Sequence, residues 1–548
     1  MSYPRKLQVL IIEDKNQWVE RYEEILKNIV FEEYPETSEA EVWNTPLLGK
    51  PHTVNSYSAA VAELKGPKPY HLLIVDLGLP WEARQEADAA TIEPGQKLVE
   101  IARHREEYPI PIILVISGRL ALATLSTLTE SLSNDFYFGT SVNKGSNEDE
   151  CIKRAIRKAH EFNDVGIHIV NSPKKLFPTL SPHEEAMLRT YVAHEKIAIG
   201  VNLNWWSFGV DHFGDGEAKG TVRTKVLMGH FILDGDAGIS RPTFFKFEPS
   251  ENAPFVHRDA QVLNHKLAHI KVLLAKTSGS RCLLITQSAS ESDENPVTLL
   301  QFLRINSNLV LPAVDQIASD ISTQLSRLDT NTDKSREIKS VMWTCHNQAK
   351  IENAWKLHCQ NSNIPGDANP IATVEKLLNS TRTIWIKEQG CTHGDLHGEN
   401  VAVDAGSRPI HAYIFDAGGM RPHVNIRDLA MLEVSLLLHQ TTPVDISLVE
   451  SCGDLYVHPI DTSLADVDPV SHDIVRNTHA LILALRKKAL EIADHAVYAL
   501  MVYDYSLIQM SGLVIQASGN KVLNPADSCK LVYLTTTWLE ITTDLLSE

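Results

Sequence analysis

The stretch Cys391-Thr392-His393-Gly394-Asp395-Leu396-His397-Gly398-Glu399-Asn400-Val401 decides how this chain reads. It sets Asp395 and Asn400 five positions apart, just after a histidine, between an amphipathic helical pattern and an apolar, strand-like run. Sixteen positions past Asn400 lies Asp416, in Ile414-Phe415-Asp416-Ala417-Gly418-Gly419, a second acid delivered by an apolar run and released by glycines. Phosphoryl transfer from a nucleotide needs such parts. One carboxylate takes or orients the acceptor proton, and a second, with a carboxamide, holds the metal that bridges the phosphates. The bland alternative is a polar loop with a capping Asp and a turn-forming Asn. Two loops in the right order favour the chemistry over the turn.

The pattern H-G-D-x-H-x-x-N followed by a strand ending in Asp resembles the catalytic and metal loops of the aminoglycoside-phosphotransferase branch of the protein-kinase-like fold. The resemblance implies Asp395 as catalytic base, Asn400 and Asp416 as magnesium ligands, and ATP or GTP as phosphoryl donor. Arg427-Asp428-Leu429-Ala430 also suits that branch.

At 548 residues the chain exceeds what one hydrophobic core supports, so two or three domains are expected. Its formal charge of -18 argues against nucleic acid or an anionic membrane as main partner. No apolar run approaches the roughly 20 residues that span a bilayer, and Met1 to Lys6 lacks a signal-peptide pattern. Seven scattered cysteines without a C-x-x-C suit a reducing cytoplasm, the expected location.

Working towards the N-terminus, Leu7 to Ile12, His71 to Val75, Ile110 to Ile116 and Phe136 to Val142 read as buried strands separated by helical patterns. Such alternation implies a parallel sheet with its site at the strands' carboxyl ends. Those ends deliver Glu13-Asp14, Asp76, Ser117 and Lys144. Clustered carboxylates repel until a cation binds, and a lysine compensates acquired charge. This set is similar to the flavodoxin-like receiver domain of bacterial response regulators, with Asp76-Leu77-Gly78-Leu79-Pro80 matching the family's D-x-x-[LM]-P. The resemblance implies Asp76 as phosphoacceptor, Glu13, Asp14 and Asp76 around magnesium, Ser117 on the phosphoryl group and Lys144 neutralising it. Three departures stand out. Trp81 to Glu93 is an acidic insertion, Phe31 to His52 is an extra stretch, and Gly145 follows Lys144 where the family usually has proline. The alternative is a sheet whose acids merely cap strand ends.

Between these motifs, Ser181-Pro182-His183-Glu184 reads as a helix start with a capping box. Residues from Val201 to Gln301 are rich in strand patterns. In a kinase-like N-lobe the strand Thr243 to Glu248 is where the phosphate-pairing lysine sits, so Lys246 is the choice, against a solvent-side edge lysine. Asp259 stands where the fold usually places the glutamate that pairs with it, and the shorter carboxylate puts that pair in doubt. Gly214, Gly216 and Gly220 form no G-x-G-x-x-G, and glycines in a hairpin are commonly turn residues.

The remainder reads as helical: Thr298 to Leu328, Ser335 to His358, Ile371 to Glu388, and most of the chain after Asp428. On one helix from Ser335, Cys345 and Cys359 would sit about 21 Å apart. A shared zinc, whose sulfurs need to lie within about 2.3 Å of it, would require that helix to break. The expected order is a receiver-like domain (1–165), a connector and linker helix (166–198), a kinase-like N-lobe (199–300) and a large helical C-lobe (301–548). The fold class is thus a parallel-sheet α/β domain followed by a bilobal α+β domain. Expected partners are a sensor histidine kinase or other phosphodonor, an acceptor substrate or protein, and a second copy of the chain. Two rivals stand beside this reading: a nucleotide- or partner-binding module without transfer, and a free-standing small-molecule kinase carrying an inert receiver.

Overall fold

The computed structural model describes residues 6–81, 93–103, 105, 110–118, 138–170, 180–195, 198–210, 222–233, 242–266, 270–278, 281–288, 296–304, 307–328, 335–343, 347–362, 372, 376, 379, 384–415, 421–424, 426–440, 473–517 and 525–547. The chain divides into two units. One comprises Met1–Phe208, Arg223–His257 and Leu273–Thr286; the other holds Gly209–Val222, Arg258–Val272 and Gln287–Glu548.

In the first unit, β1 (Val9–Ile12), β2 (His52–Val54), β3 (Leu72–Val75), β4 (Ile112–Ser117) and β5 (Phe138–Asn143) form a parallel sheet in the order β2-β1-β3-β4-β5. Every residue of β1, β3 and β4 is buried. That burial is why those runs are apolar without alternation: helices cover both faces. Val9, Ile11, Leu72, Ile74 and Leu114 face helices Asn16–Glu33 and Glu148–Asp164, while Leu10, Ile12, Leu73, Val75 and Val115 face helices Tyr57–Lys65 and Glu93–Arg103. The order reverses between β1 and β3, which opens a crevice at the carboxyl ends of those strands. β2 carries no strand signal in the sequence because it is three residues long, His-Thr-Val, with no apolar run.

A single residue, Val165, separates helix Glu148–Asp164 from β6 (Gly166–Val170). The 166–198 stretch expected as a connector therefore opens with an edge strand of the next sheet. That sheet runs β10 (Ile270–Ser278), β11 (Arg281–Ser288), β9 (Thr243–Pro249), β8 (Val222–Leu233), β7 (Ala198–Val210), β6. β6 and β7 are parallel, joined by helix Pro182–Glu195; β8 and β9 are antiparallel. Gly229 lies within β8, not at a turn, because a Cβ there would stand 2.2 Å from the Asn202 carbonyl oxygen.

Helix Pro182–Glu195 is fastened at its start and at its middle. Its capping box is formed, with the Glu184 amide donating to Ser181 Oγ at 3.2 Å and the Ser181 amide to Glu184 Oε2 at 2.8 Å. The same carboxylate, wholly buried, meets Lys225 Nζ on β8 at 2.5 Å and Arg281 on β11 at 3.2 Å. One turn on, Arg189 donates to the carbonyls of Val165 (2.5 Å) and Asn163 (3.2 Å), at the end of helix Glu148–Asp164. Met187, Leu188, Tyr191 and Val192 pack on Leu203, Leu227, Phe245 and Leu283 of the sheet.

In the second unit, β12 (Val297–Thr298), β15 (Val401–Asp404) and β16 (His411–Ile414) form one small antiparallel sheet, and β13 (Ser335–Glu337), β14 (Trp385–Thr392) and β17 (Arg421–Val424) another. The local period predicts helices over Ser335 to His358 and Ile371 to Glu388. Instead β13 and β14 pair with each other; among the described residues between them one helix spans Gln348–Ser362, and Ala372, Lys376 and Asn379 are helical as expected. Strand pairing at distant positions leaves no mark on the local period. Cys345 lies outside the described residues, and buried His358 is bonded to Ser528 Oγ and the Met510 carbonyl rather than poised for a metal. Helices Arg427–Gln440, Asp473–Leu490, His495–Ala517 and Pro525–Ser547 come next, as the apolar stripes after Asp428 indicate. Among them Arg486 forks onto the buried Glu433 carboxylate (Nε to Oε2, 3.1 Å), which also accepts from the Tyr498 hydroxyl at 2.5 Å. No helix among the described residues is long and apolar enough to cross a membrane.

Candidate functional site

Two polar constellations stand out, one in each unit. In the second unit residues 393–400 fold as a tight loop between β14 and β15, held by hydrogen bonds within itself and to neighbouring elements. Gly394 turns the backbone at φ +83°, a conformation costly for any residue with a Cβ. The carboxylate of Asp428, 1% exposed in the first turn of its helix, accepts from the His393 amide (2.7 Å) and the Gly394 amide (3.0 Å). Asn400, also buried, donates Nδ2 to the Asp395 carbonyl at 2.8 Å, which directs its carboxamide oxygen away from that bond.

Phe415 is held twice. Its amide donates to the Asn400 carbonyl at 3.1 Å, and its carbonyl accepts from His393 Nε2 at 2.9 Å. With a carbonyl as partner, that ring nitrogen carries the proton. The loop's histidine and asparagine thus both fix the backbone of the residue preceding Asp416. Asp416 itself lies outside the described residues. Asp395 points outward, its side chain 51% exposed, with His397 Nε2 4.0 Å away. The hairpin carrying this arrangement is braced by buried Gln324, which gives Nε2 to the Ala412 carbonyl and takes the Ile414 amide, both at 2.7 Å.

Two residues that serve this region carry no mark in the sequence. Gln324 bonds the main chain of β16, an edge strand among the described residues, from a helix nearly ninety positions earlier. Tyr505, buried on helix His495–Ala517, accepts from Gln509 Nε2 at 2.7 Å. Burial, and then the charge of Asp395, push its hydroxyl up from the usual tyrosine range. Each acts across the fold, where local pattern is silent.

In the first unit, Glu13, Asp14 and Asp76 come together at the carboxyl ends of β1 and β3, with ligand-capable oxygens within 4.8 Å of one another. Lys144, just beyond β5, reaches Glu13 Oε2 at 2.6 Å and Asp76 Oδ2 at 2.8 Å. Ser117 is buried at the end of β4, and its carbonyl accepts from the Lys144 amide at 3.2 Å. All five residues that the sequence places at strand ends therefore meet at one sheet edge. Burial, aided by the Asp76 charge, pushes the Glu13 carboxyl up to about 7, against the opposing pull of Lys144. Asp14 Oδ1 is buried without a hydrogen-bond partner. Three crowded oxygen ligands, one ionising reluctantly and one unsatisfied, suit a hard divalent cation, whose charge would relieve all three. Gly145 sits at φ +80°, which no proline can adopt, so the departure from the receiver pattern there has a backbone cause.

Lys246 lies on β9, the third strand of the run β7-β8-β9, and helix Ala253–Lys266 comes after it through a single 3₁₀ turn. Its carboxylate neighbour is Glu248, two residues on along the same strand; Glu248 also accepts from Asn252 Nδ2 at 2.9 Å. The side chain of Asp259 lies outside the described residues.

No protein-family model matches this chain, and no curated protein does. Among solved structures, it is similar to an amicoumacin kinase in complex with AMP-PNP and Ca2+ (16% identity, covering 61% of this chain and 90% of that one, TM-score 0.31). A protein of Ralstonia eutropha assigned to the aminoglycoside phosphotransferases matches at 11% identity, 62% and 93% coverage, and TM-score 0.31. The Plasmodium vivax ethanolamine kinase matches at 12% identity, 73% and 98% coverage, and TM-score 0.30. At such scores a superposition says nothing of activity, which has to rest on the chain's own residues.

Proposed function

We propose that this chain is a signalling phosphotransferase, in which a phosphoryl-accepting receiver (1–165) regulates a kinase-like N-lobe (199–300) and C-lobe (301–548) acting with magnesium and ATP or GTP. The observation that carries the transferase half is the double hold on Phe415. His393 and Asn400 fix the backbone leading into Asp416 while the same loop turns Asp395 outward. A catalytic carboxylate on one side, and a carboxamide with a second carboxylate on the other, are thereby tied to one short piece of main chain. In this reading Asp395 orients the acceptor hydroxyl, Asn400 and Asp416 hold magnesium, and Lys246 on the third strand pairs the phosphates, the position a kinase-like lysine takes. The metal's contribution is to neutralise charge on the phosphates.

The receiver half is supported by the five-residue cluster at the crevice of the 2-1-3-4-5 sheet. Asp76 takes the phosphoryl group from a histidine kinase or another donor, with Glu13 and Asp14 around magnesium and Lys144 compensating the charge. Helix Pro182–Glu195 supports regulation. Arg189 ties it to the end of helix Glu148–Asp164, and Glu184 ties it to β8 and β11. A displacement of the receiver's last helix is thereby passed to the sheet that carries Lys246.

The test is transfer of labelled γ-phosphate from ATP to a panel of small hydroxyl and amine acceptors and to the chain itself, with Asp395→Asn as control. Product that falls at least about 100-fold in the variant supports the reading, as general-base loss typically costs 10²–10⁴. Nucleotide binding without any product points instead to the binding module.

A further inference from the structure

The indole of Trp18 has a place that the receiver pattern does not explain. Lys144 Nζ stands 5.3 Å from the ring centroid while its ammonium touches Glu13 and Asp76. The guanidinium of Arg21 lies 5.7 Å from the same centroid. Two cations thus share one ring, which is itself stacked on Tyr22 with centroids 6.2 Å apart. Arg21 in turn pairs with Glu148, 1% exposed at the start of helix Glu148–Asp164, at 3.0 Å. Trp18 therefore sits between the phosphoacceptor's lysine and the first turn of that helix.

A lysine is a point charge on a flexible four-carbon stem, and something has to hold it where charge will arrive. The carboxylates hold Lys144 only until a metal takes them. The face of an aromatic ring attracts an ammonium without competing for either phosphate or metal, and does so more strongly where water is excluded. The Lys144 side chain is 8% exposed, so the ring works in such a place.

We propose that Trp18 is a positioning residue for phosphoryl uptake at Asp76, keeping Lys144 over the acceptor carboxylate through its ring face. This rests on the receiver reading above. In the step concerned, a carboxylate oxygen of Asp76 forms a bond to phosphorus as the bond from phosphorus to the donor atom breaks, a ring nitrogen in a phosphohistidine or an oxygen in acetyl phosphate. With acetyl phosphate the leaving group is acetate, and no proton or further reactant is required. Lys144 must meet the phosphoryl oxygens during that exchange. A ring that fixes its stem lessens the freedom lost in doing so.

The experiment tracks labelled phosphoryl uptake from acetyl phosphate with magnesium in the full chain, for the wild type, Trp18→Leu, Trp18→Phe and Asp76→Asn. Trp18→Leu keeps apolar bulk but has no ring face, and uptake is expected to slow about 10-fold, the loss of a well-desolvated cation–π contact. Trp18→Phe is expected to recover at least half of that loss on a logarithmic scale. Magnesium affinity is expected to stay within about two-fold in both, since neither change touches a carboxylate. Equal uptake in Trp18→Leu and the wild type would overturn the assignment, and so would Trp18→Phe as slow as Trp18→Leu, which marks a mere packing role. If Trp18→Leu loses its far-ultraviolet circular dichroism, Trp18→Met replaces it with the same criteria. Uptake that persists in Asp76→Asn, or none in the wild type, refutes the receiver reading itself and this inference with it.

Discussion

Replacing Glu13 by Gln is expected to stabilise the metal-free protein, by an amount that grows from pH 4.5 and levels off above about 7. In the folded chain the Glu13 carboxyl is raised from 4.5 to about 7, chiefly by burial and then by the Asp76 charge. A carboxyl so raised is at ease when protonated. Its contribution is complete below pH 4.5 and is lost as pH climbs through about 7. At about 1.4 kcal/mol per pH unit, ionising Glu13 in the folded state costs about 3 kcal/mol. Gln mimics the protonated form and avoids that cost. At about 2–4 °C per kcal/mol for a unit of this size, Glu13→Gln is expected to raise the Tm of the unfolding transition of the N-terminal sheet by about 6–12 °C at pH 8. At pH 4, below the unfolded value of 4.5, the difference should nearly vanish. The assay is thermal unfolding of both proteins in chelator at the two pH values. Magnesium at about 100 times its Kd should then add about 2.7 kcal/mol to the wild type and less to the variant, which lacks a ligand. A Tm difference independent of pH, or one favouring the wild type at pH 8, refutes the reasoning.

Four further outcomes rest on named contacts. Asp428→Asn replaces one of two accepting oxygens with a donor facing the His393 or Gly394 amide, so stability should drop by about 2–3 kcal/mol in chemical denaturation. Arg486→Met strands the buried Glu433 carboxylate and should cost about 3–5 kcal/mol, whereas the paired change Arg486→Met with Glu433→Leu should recover most of it. Arg189→Ala removes the tie to the Val165 and Asn163 carbonyls; any effect of receiver phosphorylation on transferase rate should shrink several-fold while the unphosphorylated rate stays within two-fold, about the weight of two such bonds. His393→Phe unpins the Phe415 carbonyl and should lower kcat about 10-fold or more, by misplacement rather than by lost chemistry, with little change in nucleotide Kd.

How much of this is legible in the sequence depends on how far apart the cooperating residues lie. The loop around Asp395 can be read because its determinants are local. Gly394 at positive φ, the turn back to Asn400 and the apolar strand after it are all decided within a dozen residues. The five residues of the crevice can be read because a doubly wound sheet sends every strand end to one edge, so order along the chain becomes proximity in space. What stays hidden is whatever one element does for a distant one. β13 and β14 pair across some fifty positions, and their residues lack the alternation that would betray it. Glu184 shows itself as a helix cap, but not as the partner of Lys225, which shares the capping oxygen Oε2, or of Arg281, which meets Oε1, because both lie on strands far along the chain. Likewise Lys246 is legible from its strand, while the carboxylate beside it, Glu248, looks like one more polar position on a half-buried face.

The most direct measurement is calorimetric titration of a non-hydrolysable ATP analogue into the wild type, Asn400→Ala and Asp416→Ala, each with and without magnesium. The expected result is binding in the wild type that strengthens at least about 10-fold with magnesium, an enhancement lost in both variants. Affinity that ignores the metal, or a magnesium effect that survives both substitutions, would mean that the two loops do not share an ion and would contradict the transferase reading.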